Sequence, residues 1–150
     1  MARWFWIGDE ASMSRQHSGG CLCGSVRYTF SEPIYGCVNC HCDSCRKSCA
    51  APMTTFLGVH DGSWRWTEAK PTLYESSPGV KRYFCSRCGS QVGYISENFT
   101  NKMHFYLAAL DNPEAFKPEG HSFKANQLSW LHLDDALPDL TGSKWSKNSK

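Results

Sequence analysis

Long apolar runs are absent from this 150-residue chain. No window approaches the roughly 20 consecutive apolar residues that a membrane-spanning helix needs, and the opening residues lack the apolar stretch and cleavage site of a secretory signal. The sequence also contains no glycine-rich dinucleotide motif, phosphate loop, nucleophile elbow or paired-histidine helix motif, which disfavours nucleotide cofactors and the familiar hydrolase triads. We therefore expect a soluble, cytoplasmic protein with no membrane partner.

Charge of one sign is not in excess either. The chain has 16 Lys and Arg residues against 14 Asp and Glu, and both signs are scattered, so no basic stripe predicts a nucleic-acid surface. Small molecules are the expected partners. With 41% hydrophobic residues, the chain can bury one ordinary core. We predict a flexible leader over residues 1–17, one domain over 18–140 and a polar tail over 141–150.

Short segments that alternate apolar and polar residues predict strands, each bounded by Gly, Pro, Ser or Asp. They cover residues 26–30, 64–66, 73–74, 83–84 and 92–95. Two more apolar runs, 53–57 and 103–110, are rich in β-branched and aromatic residues and predict buried central strands. Helical turns are predicted only after His41 and around residues 113–116, where Asn112 could cap. The pattern predicts a mainly antiparallel, all-β domain.

Cysteine, in contrast, is abundant, with nine residues. In a secreted chain this number would indicate a disulfide framework. Here the cysteines fall into Cys-x-Cys and Cys-x-x-Cys pairs, a spacing that suits two thiolates binding the same metal ion. Because no secretion signal accompanies them, the sequence predicts metal binding rather than disulfides.

One predicted metal site combines two distant pairs. Cys85 and Cys88 form a knuckle in which the following Gly89 supplies a left-handed turn. A tetrahedral site needs two more ligands, and Cys21 and Cys23 provide such a pair before a predicted strand. The alternative, a redox-active Cys-x-x-Cys, is disfavoured because no βαβ pattern surrounds it.

A second predicted site lies in the middle of the chain. Cys40, Cys42 and Cys45 place three thiols on what we predict to be the first turn of a short helix. A zinc ion with three protein ligands keeps a fourth position for water or substrate, which is typical of catalytic sites. Cys37 or Cys49 could instead supply a fourth thiolate and close the site, and spacing alone leaves this alternative open.

Basic and imidazole side chains accompany the second site. Arg46 and Lys47 could lower the pKa values of the thiols, although a solvated basic pair is the alternative. His41 could be a ligand, but a role in orienting the ligands or solvent exposure fits a neighbour in so tight a cluster better. His104 lies in an alternating apolar segment and is predicted to be a core residue rather than a ligand.

These motifs together resemble the glutathione-dependent formaldehyde-activating enzymes, a family that also includes proteins of the centromere protein V type. The resemblance runs from about residue 18 to residue 138. It implies an all-β, β-tent fold with two zinc ions per chain, a structural one and a catalytic one. The structural zinc would be bound by Cys21, Cys23, Cys85 and Cys88, and the catalytic zinc by Cys40, Cys42 and Cys45. The segments that carry the resemblance are Gly-Gly-Cys-Leu-Cys-Gly-Ser-Val-Arg-Tyr (19–28), Cys-His-Cys-Asp-Ser-Cys-Arg-Lys (40–47) and Phe-Cys-Ser-Arg-Cys-Gly-Ser (84–90).

The activity that the resemblance implies is addition of the glutathione thiol to formaldehyde, giving S-(hydroxymethyl)glutathione, with classification as a carbon-sulfur lyase. Cys37 and Cys49 have no assured role in it. We predict that Arg46 or Lys47 attracts the carboxylates of glutathione. The residues predicted to line the site are Phe56, Trp64, Tyr94 and His104.

Two other functions remain open at this point. The same fold could act on another carbonyl or thiol compound, because lining residues can retune a shared site. The chain could also be a non-catalytic zinc module that binds a protein or nucleic acid, although the few basic residues at its ends give little support to nucleic-acid binding. The protein could form a homodimer.

Overall fold

The structure is a computed structural model and describes residues 14–141. Over this range it contains ten short strands, one α-helix and four 3-10 turns. The predicted all-β fold class, with short antiparallel strands and few helical turns, is confirmed. None of the described helices is long and apolar enough to cross a membrane. The elements are β1 (Gln16–Gly20), β2 (Arg27–Ser31), β3 (Ile34–Cys40), α1 (Asp43–Cys49), β4 (Thr54–His60), β5 (Trp64–Trp66), β6 (Thr72–Ser77), β7 (Val80–Phe84), β8 (Gln91–Ser96), β9 (Lys102–Tyr106) and β10 (His121–Ser122).

The strands form two sheets. The smaller has the order β1-β2-β5 and the larger the order β10-β3-β4-β9-β8-β7-β6. Neighbouring strands within each sheet are antiparallel, except that β10 and β3 are parallel. Strands β6 to β9 pair consecutively through short connections, β3 and β4 pair across α1, and β10 reaches β3 from much later in the chain.

The main core lies between the two sheets. Tyr28 and Phe30 of the small sheet meet Leu57, Met103 and Phe105 of the large sheet, and all five are buried. The rings of Tyr28 and Phe105 stack with centroids 3.9 Å apart. Aromatic residues bury large apolar areas, so this layer supplies much of the hydrophobic stabilisation of the domain.

The other face of the large sheet carries a second cluster beneath α1. Side chains alternate between the faces of a strand, so Val38, Phe56 and Tyr106 point away from the main core. They pack with Cys40 of β3 and Cys45 of α1. A helix therefore covers this face where β3 ends, and the cysteines of the second predicted site lie there.

Several elements differ from their predicted bounds. The segment 103–110 is a strand only as far as Tyr106 and then turns into a 3-10 helix over Leu107–Ala109. The predicted turn at 113–116 is a 3-10 helix over Pro113–Ala115, without a side-chain cap from Asn112. β1 begins at Gln16, two residues before the predicted domain boundary. Residues 1–13 of the predicted leader and 142–150 of the predicted tail lie outside the described range.

Candidate metal centres

Four thiols converge where the loop after β1 meets the turn between β7 and β8. The Sγ atoms of Cys21, Cys23, Cys85 and Cys88 all lie within 4.8 Å of one another. Two of the separations are 3.6 Å, for Cys21 and Cys23, and 3.8 Å, for Cys23 and Cys85. Zinc binds thiolate sulfur at about 2.3 Å, so a tetrahedral site separates its sulfurs by about 3.8 Å. The number, chemistry and spacing of these donors fit zinc.

Two glycine turns shape the four-thiol cluster. Gly24 and Gly89 have φ angles of +76° and +75°, in the left-handed region that glycine adopts without strain. The Gly24 N–H donates to the carbonyl of Cys21 at 3.0 Å, and the Gly89 N–H donates to that of Cys85 at 2.8 Å. The predicted left-handed turn at Gly89 is therefore confirmed.

Hydrogen bonds also favour the thiolate form of Cys21 and Cys88, the two thiols of this cluster whose pKa is lowered. The Val26 N–H donates to Cys21 Sγ at 3.2 Å, and the Ser25 hydroxyl lies 3.1 Å from Cys23 Sγ. Hydrogen bonds from Ser90 lower the pKa of Cys88 to about 5. Metal ligands must be deprotonated, so these contacts prepare the cluster to bind an ion.

Three thiols converge on the opposite side of the large sheet from the main core. Cys40 ends β3, Cys42 is the N-cap of α1 and Cys45 lies in the first turn of the helix. Their Sγ atoms lie within 4.8 Å of one another, and over residues 14–141 no further cysteine, histidine or carboxylate joins them at that distance. Hydrogen bonds from the thiols of Cys40 and Cys45 hold the pKa of Cys42 well below the usual thiol value. This donor set also suits a thiophilic ion such as zinc, with one position left for another ligand.

Cys37 and Cys49 stay out of this cluster. Cys37 points into the main core and is buried among apolar side chains, and burial raises its pKa to about 12. Cys49 ends α1 and packs on the margin of the second cluster. All nine cysteines lie in the described range and none forms a disulfide. The geometry therefore does not support a fourth thiolate from either residue.

A buried arginine that the sequence did not single out contacts the three-thiol cluster. Arg82 of β7 is 3% exposed, and its Nη2 lies 3.9 Å from Cys45 Sγ. Its Nε donates to the Ser76 hydroxyl at 3.1 Å, and its Nη1 lies 3.5 Å from the Tyr106 hydroxyl. Burial disfavours the charged form, but the neighbouring Cys45 thiolate raises the pKa of Arg82 above its ordinary value. No signal in the sequence marks this residue, because β7 has no alternation of apolar and polar residues and the burial of Arg82 depends on tertiary contacts.

Arg46 and Lys47 lie on α1, next to the three-thiol cluster, and their role towards the carboxylates of glutathione stays a prediction. The Arg46 Nε donates to the carbonyl of His41 at 3.0 Å, and its Nη2 forms an ion pair with Asp43. Lys47 is exposed on α1. Among the described basic residues, it is Arg82 rather than this pair whose contact with a cluster thiol is observed.

The predicted lining residues divide between the two faces of the large sheet. Phe56 and Tyr94 share the face of the three-thiol cluster, with ring centroids 4.7 Å apart, and His104 stacks on Tyr94 at 4.6 Å. His104 is buried, as predicted for a core residue, and burial lowers its pKa to about 4. Trp64 lies in the small sheet and packs edge-on against Phe105 in the main core, so its predicted place beside the site was wrong.

Comparison with known proteins shows the same relationship as the cysteine motifs. The profile of the family described as glutathione-dependent formaldehyde-activating enzyme matches residues 16–126. An uncharacterized lyase of Schizosaccharomyces pombe is 31% identical over 83% of this chain and 97% of its own length. A Halomonas elongata protein, provisionally named a glutathione-dependent formaldehyde-activating enzyme, is 27% identical over 81% of this chain and 83% of its own.

A crystal structure of a Rhodobacter sphaeroides protein is similar in fold, with a TM-score of 0.53 and 20% identity. The similarity covers 63% of this chain and 87% of that one. The family profile spans most of the chain and both thiol clusters, and so the chain belongs to the glutathione-dependent formaldehyde-activating enzyme family.

Proposed function

We propose that this protein is a zinc-dependent carbon-sulfur lyase that adds the thiol of glutathione to formaldehyde, giving S-(hydroxymethyl)glutathione. The observation that carries this proposal is the unequal division of thiols, with four in one cluster and three in the other. The family supports the same activity, as do the names of its members. Zinc, glutathione and a cytoplasmic location, where thiols stay reduced, are parts of this proposal.

In this proposal the four-thiol cluster is the structural site. Cys21 and Cys23 follow a strand of the small sheet, whereas Cys85 and Cys88 lie between two strands of the large one. An ion bound by all four would therefore connect the two sheets, and because a closed site does not exist in the unfolded chain, its binding would contribute directly to folding.

The three-thiol cluster is the proposed catalytic site, formed by Cys40, Cys42 and Cys45. A bound zinc supplies Lewis acidity towards a carbonyl oxygen and can hold a thiol as thiolate near neutral pH. Three thiolates around a divalent ion leave one net negative charge, which the guanidinium of Arg82 balances from beside Cys45. The buried charge of Arg82 thus makes three neighbouring thiolates less costly to hold in this apolar place.

The reaction balances without any redox partner. The S–H of the thiol adds across the C=O of the aldehyde, so a carbon-sulfur bond forms, the carbonyl π bond breaks and the thiol proton ends on oxygen. The reverse direction is the lyase reaction. Lys47 is exposed on α1 and Arg46 is half-buried beside it, so both are proposed to attract the carboxylates of the tripeptide. Arg46 would have to share its guanidinium with Asp43.

Exchange NMR on the hydroxymethyl adduct tests the proposal. The zinc-loaded protein is expected to accelerate interconversion of formaldehyde, glutathione and adduct over buffer, and Cys42→Ser is expected to reduce it to the buffer rate. Cys37→Ala, which removes a thiol outside both clusters, serves as the matched control and should retain activity. If the fully loaded protein gives no acceleration, the formaldehyde assignment is wrong, and the same assay with other aldehydes and thiols tests the alternative substrate class.

A further inference from the structure

The side chains of Asp135, His121 and His41 form a hydrogen-bonded chain. Its last member, His41, stands in the sequence between Cys40 and Cys42 of the three-thiol cluster. The Nε2 of His121 lies 3.1 Å from a carboxylate oxygen of Asp135, and its Nδ1 lies 2.8 Å from the Nε2 of His41. Both imidazoles are buried, at 0% exposure for His41 and 1% for His121. Burial of ring nitrogens is costly unless they are hydrogen-bonded. This chain gives a partner to both nitrogens of His121 and to the Nε2 of His41, whereas the buried Nδ1 of His41 has no partner among the described residues.

The backbone of His41 is held from two further sides. Its N–H donates to the carbonyl of Ser122 at 3.0 Å, and its carbonyl accepts from the Nε of Arg46 at 3.0 Å. Ser122 belongs to β10, whose register places it beside Cys40 of β3. The residue between the first two thiols of the cluster is therefore attached to a strand, to the helix and to the histidine chain.

The carboxylate also determines where the ring protons lie. Ionised Asp135 only accepts hydrogen bonds, so the Nε2 of His121 carries the proton that faces it. In the neutral form of both rings the Nδ1 of His121 then accepts, and the Nε2 of His41 must donate to it. The chain thus selects one tautomer and one ring orientation for each histidine.

The segment that carries Asp135 is itself fixed to β10. The His121 N–H donates to the carbonyl of Pro138 at 2.8 Å, and the Leu140 N–H donates to the carbonyl of His121 at 2.7 Å. Residues far from the cysteines in sequence are in this way connected to the loop that bears them. The carboxylate is the outermost member, since Asp135 is partly exposed while both rings are buried.

We propose that Asp135, His121 and His41 form a positioning chain that holds the loop from Cys40 to Cys42 in the geometry that lets three thiols bind one ion. This inference rests on the proposed function, because it assigns the chain to the proposed catalytic metal site. Groups that orient metal ligands through hydrogen bonds change metal affinity by about 10- to 100-fold when they are removed. None of the three residues is a ligand in this assignment.

Asp135→Ala is the decisive variant, and Asp134→Ala, at the neighbouring exposed carboxylate, is its matched control. Cadmium NMR of the loaded protein separates the four-thiol from the three-thiol site, and chelator competition gives the affinity of each. We expect Asp135→Ala to weaken the three-thiol site by about tenfold and to leave the four-thiol site unchanged, with no effect of Asp134→Ala. Long-range proton-nitrogen spectra should show the Nε2–H tautomer of His41 in the wild type and a mixture of tautomers in Asp135→Ala.

Three results would overturn the positioning chain. An unchanged affinity of the three-thiol site in Asp135→Ala is one, and His41 in the Nδ1–H tautomer in the wild type is another; the second applies even if the variant does not fold. A wild type that binds only one ion overturns the chain together with the proposed function. Loss of affinity in Asp135→Ala, in a protein that does not accelerate the adduct exchange, would refute the proposed reaction and leave the positioning chain standing.

Discussion

Arg82 is buried among polar and aromatic groups that interact favourably with its positive charge. A guanidinium loses much hydration energy on burial, and it is retained only where charged or polar partners compensate. Here the partners are Cys45, Ser76 and Tyr106, and the guanidinium carbon also lies 5.6 Å from the centre of the Tyr94 ring. This environment fits an ionised thiol cluster better than a neutral one.

Arg82→Met tests that electrostatic role. The substitution keeps an unbranched side chain but removes the positive charge, so the thiolates become costlier to hold together. We expect kcat/KM for the thiol-aldehyde reaction to fall by about 10- to 100-fold, with weaker metal binding at the three-thiol site and retained β-sheet circular dichroism. Arg65→Met, at an exposed position of β5, is the control. Activity within about twofold of wild type would show that Arg82 is only a packing residue.

The low pKa of His104 in the folded protein predicts that stability depends on pH. Its folded pKa of about 4 lies below the ordinary value of 6.5, so between these values the unfolded chain binds the proton more readily. Stability from this group is therefore present above about pH 6.5 and is lost as pH falls towards 4, by about 3 kcal/mol in all.

Replacing the imidazole by a ring that cannot titrate should remove this contribution. In His104→Phe the free energy of unfolding should fall less between pH 6.5 and pH 5 than in the wild type, as measured by urea denaturation. His132→Phe, at an exposed position, should behave as the wild type does. Parallel pH curves for the wild type and His104→Phe would contradict the assignment.

At the scale of elements, the two thiol clusters are built differently. The three-thiol cluster comes from one strand end and the helix that follows it, within six residues. The four-thiol cluster brings together the loop after β1 and the turn between β7 and β8, which belong to different sheets. An ion bound by the four-thiol cluster would connect distant parts of the fold, whereas an ion bound by the three-thiol cluster would hold only a local turn.

This difference predicts different consequences of losing one thiol. Cys85→Ser should destabilise the zinc-loaded domain by about 3–5 kcal/mol, because it removes a ligand from the ion that links the sheets. Cys42→Ser should abolish activity while costing less than about 2 kcal/mol. Urea denaturation of the loaded proteins gives both values. If Cys42→Ser, Cys85→Ser and Cys37→Ala all unfold the protein equally, the distinction between structural and catalytic clusters is wrong.

Sequence patterns predicted elements well where one face is buried and the other is polar. β5 has its predicted bounds, β2 and β8 lie within one residue of theirs, and α1 begins after His41 as expected. β3 was missed because its last five residues are all buried, so no alternation of polar and apolar residues marks it. β10 was missed because it has only two residues, which pair with β3 through tertiary contacts.

The candidate sites were predictable to the extent that cysteine spacing is informative. Both sets of thiols that the motifs suggested come together in the fold, since close pairs of cysteines are strong local signals. Arg82 and the contact between His41 and His121 depend on which strands are neighbours, which spacing cannot provide. The choice of Arg46 and Lys47 followed sequence adjacency and stays a prediction; in the structure Arg46 contacts the carbonyl of His41 and the carboxylate of Asp43.

In the whole molecule, the two faces of the large sheet have different roles. One face packs against the small sheet to form the aromatic core, and the other face, under α1, carries the three-thiol cluster and its arginine. The four-thiol cluster lies where the two sheets are linked, near a separate small core that includes Val26 and Val92. The proposed chemistry is thus placed on the face of the large sheet that lies opposite the main core.

The unequal sharing of cysteines requires that one ion has four protein sulfurs and the other has three. The most direct measurement is a metal count on the purified protein combined with a crystal structure at the zinc absorption edge, in which anomalous scattering locates each ion and the electron density shows its ligands. We predict two zinc ions per chain, one with four cysteine sulfurs and one with three sulfurs and a ligand that is not a protein side chain. A single ion, or two ions that are both enclosed by side chains, would show that the three-thiol cluster is not an open metal site.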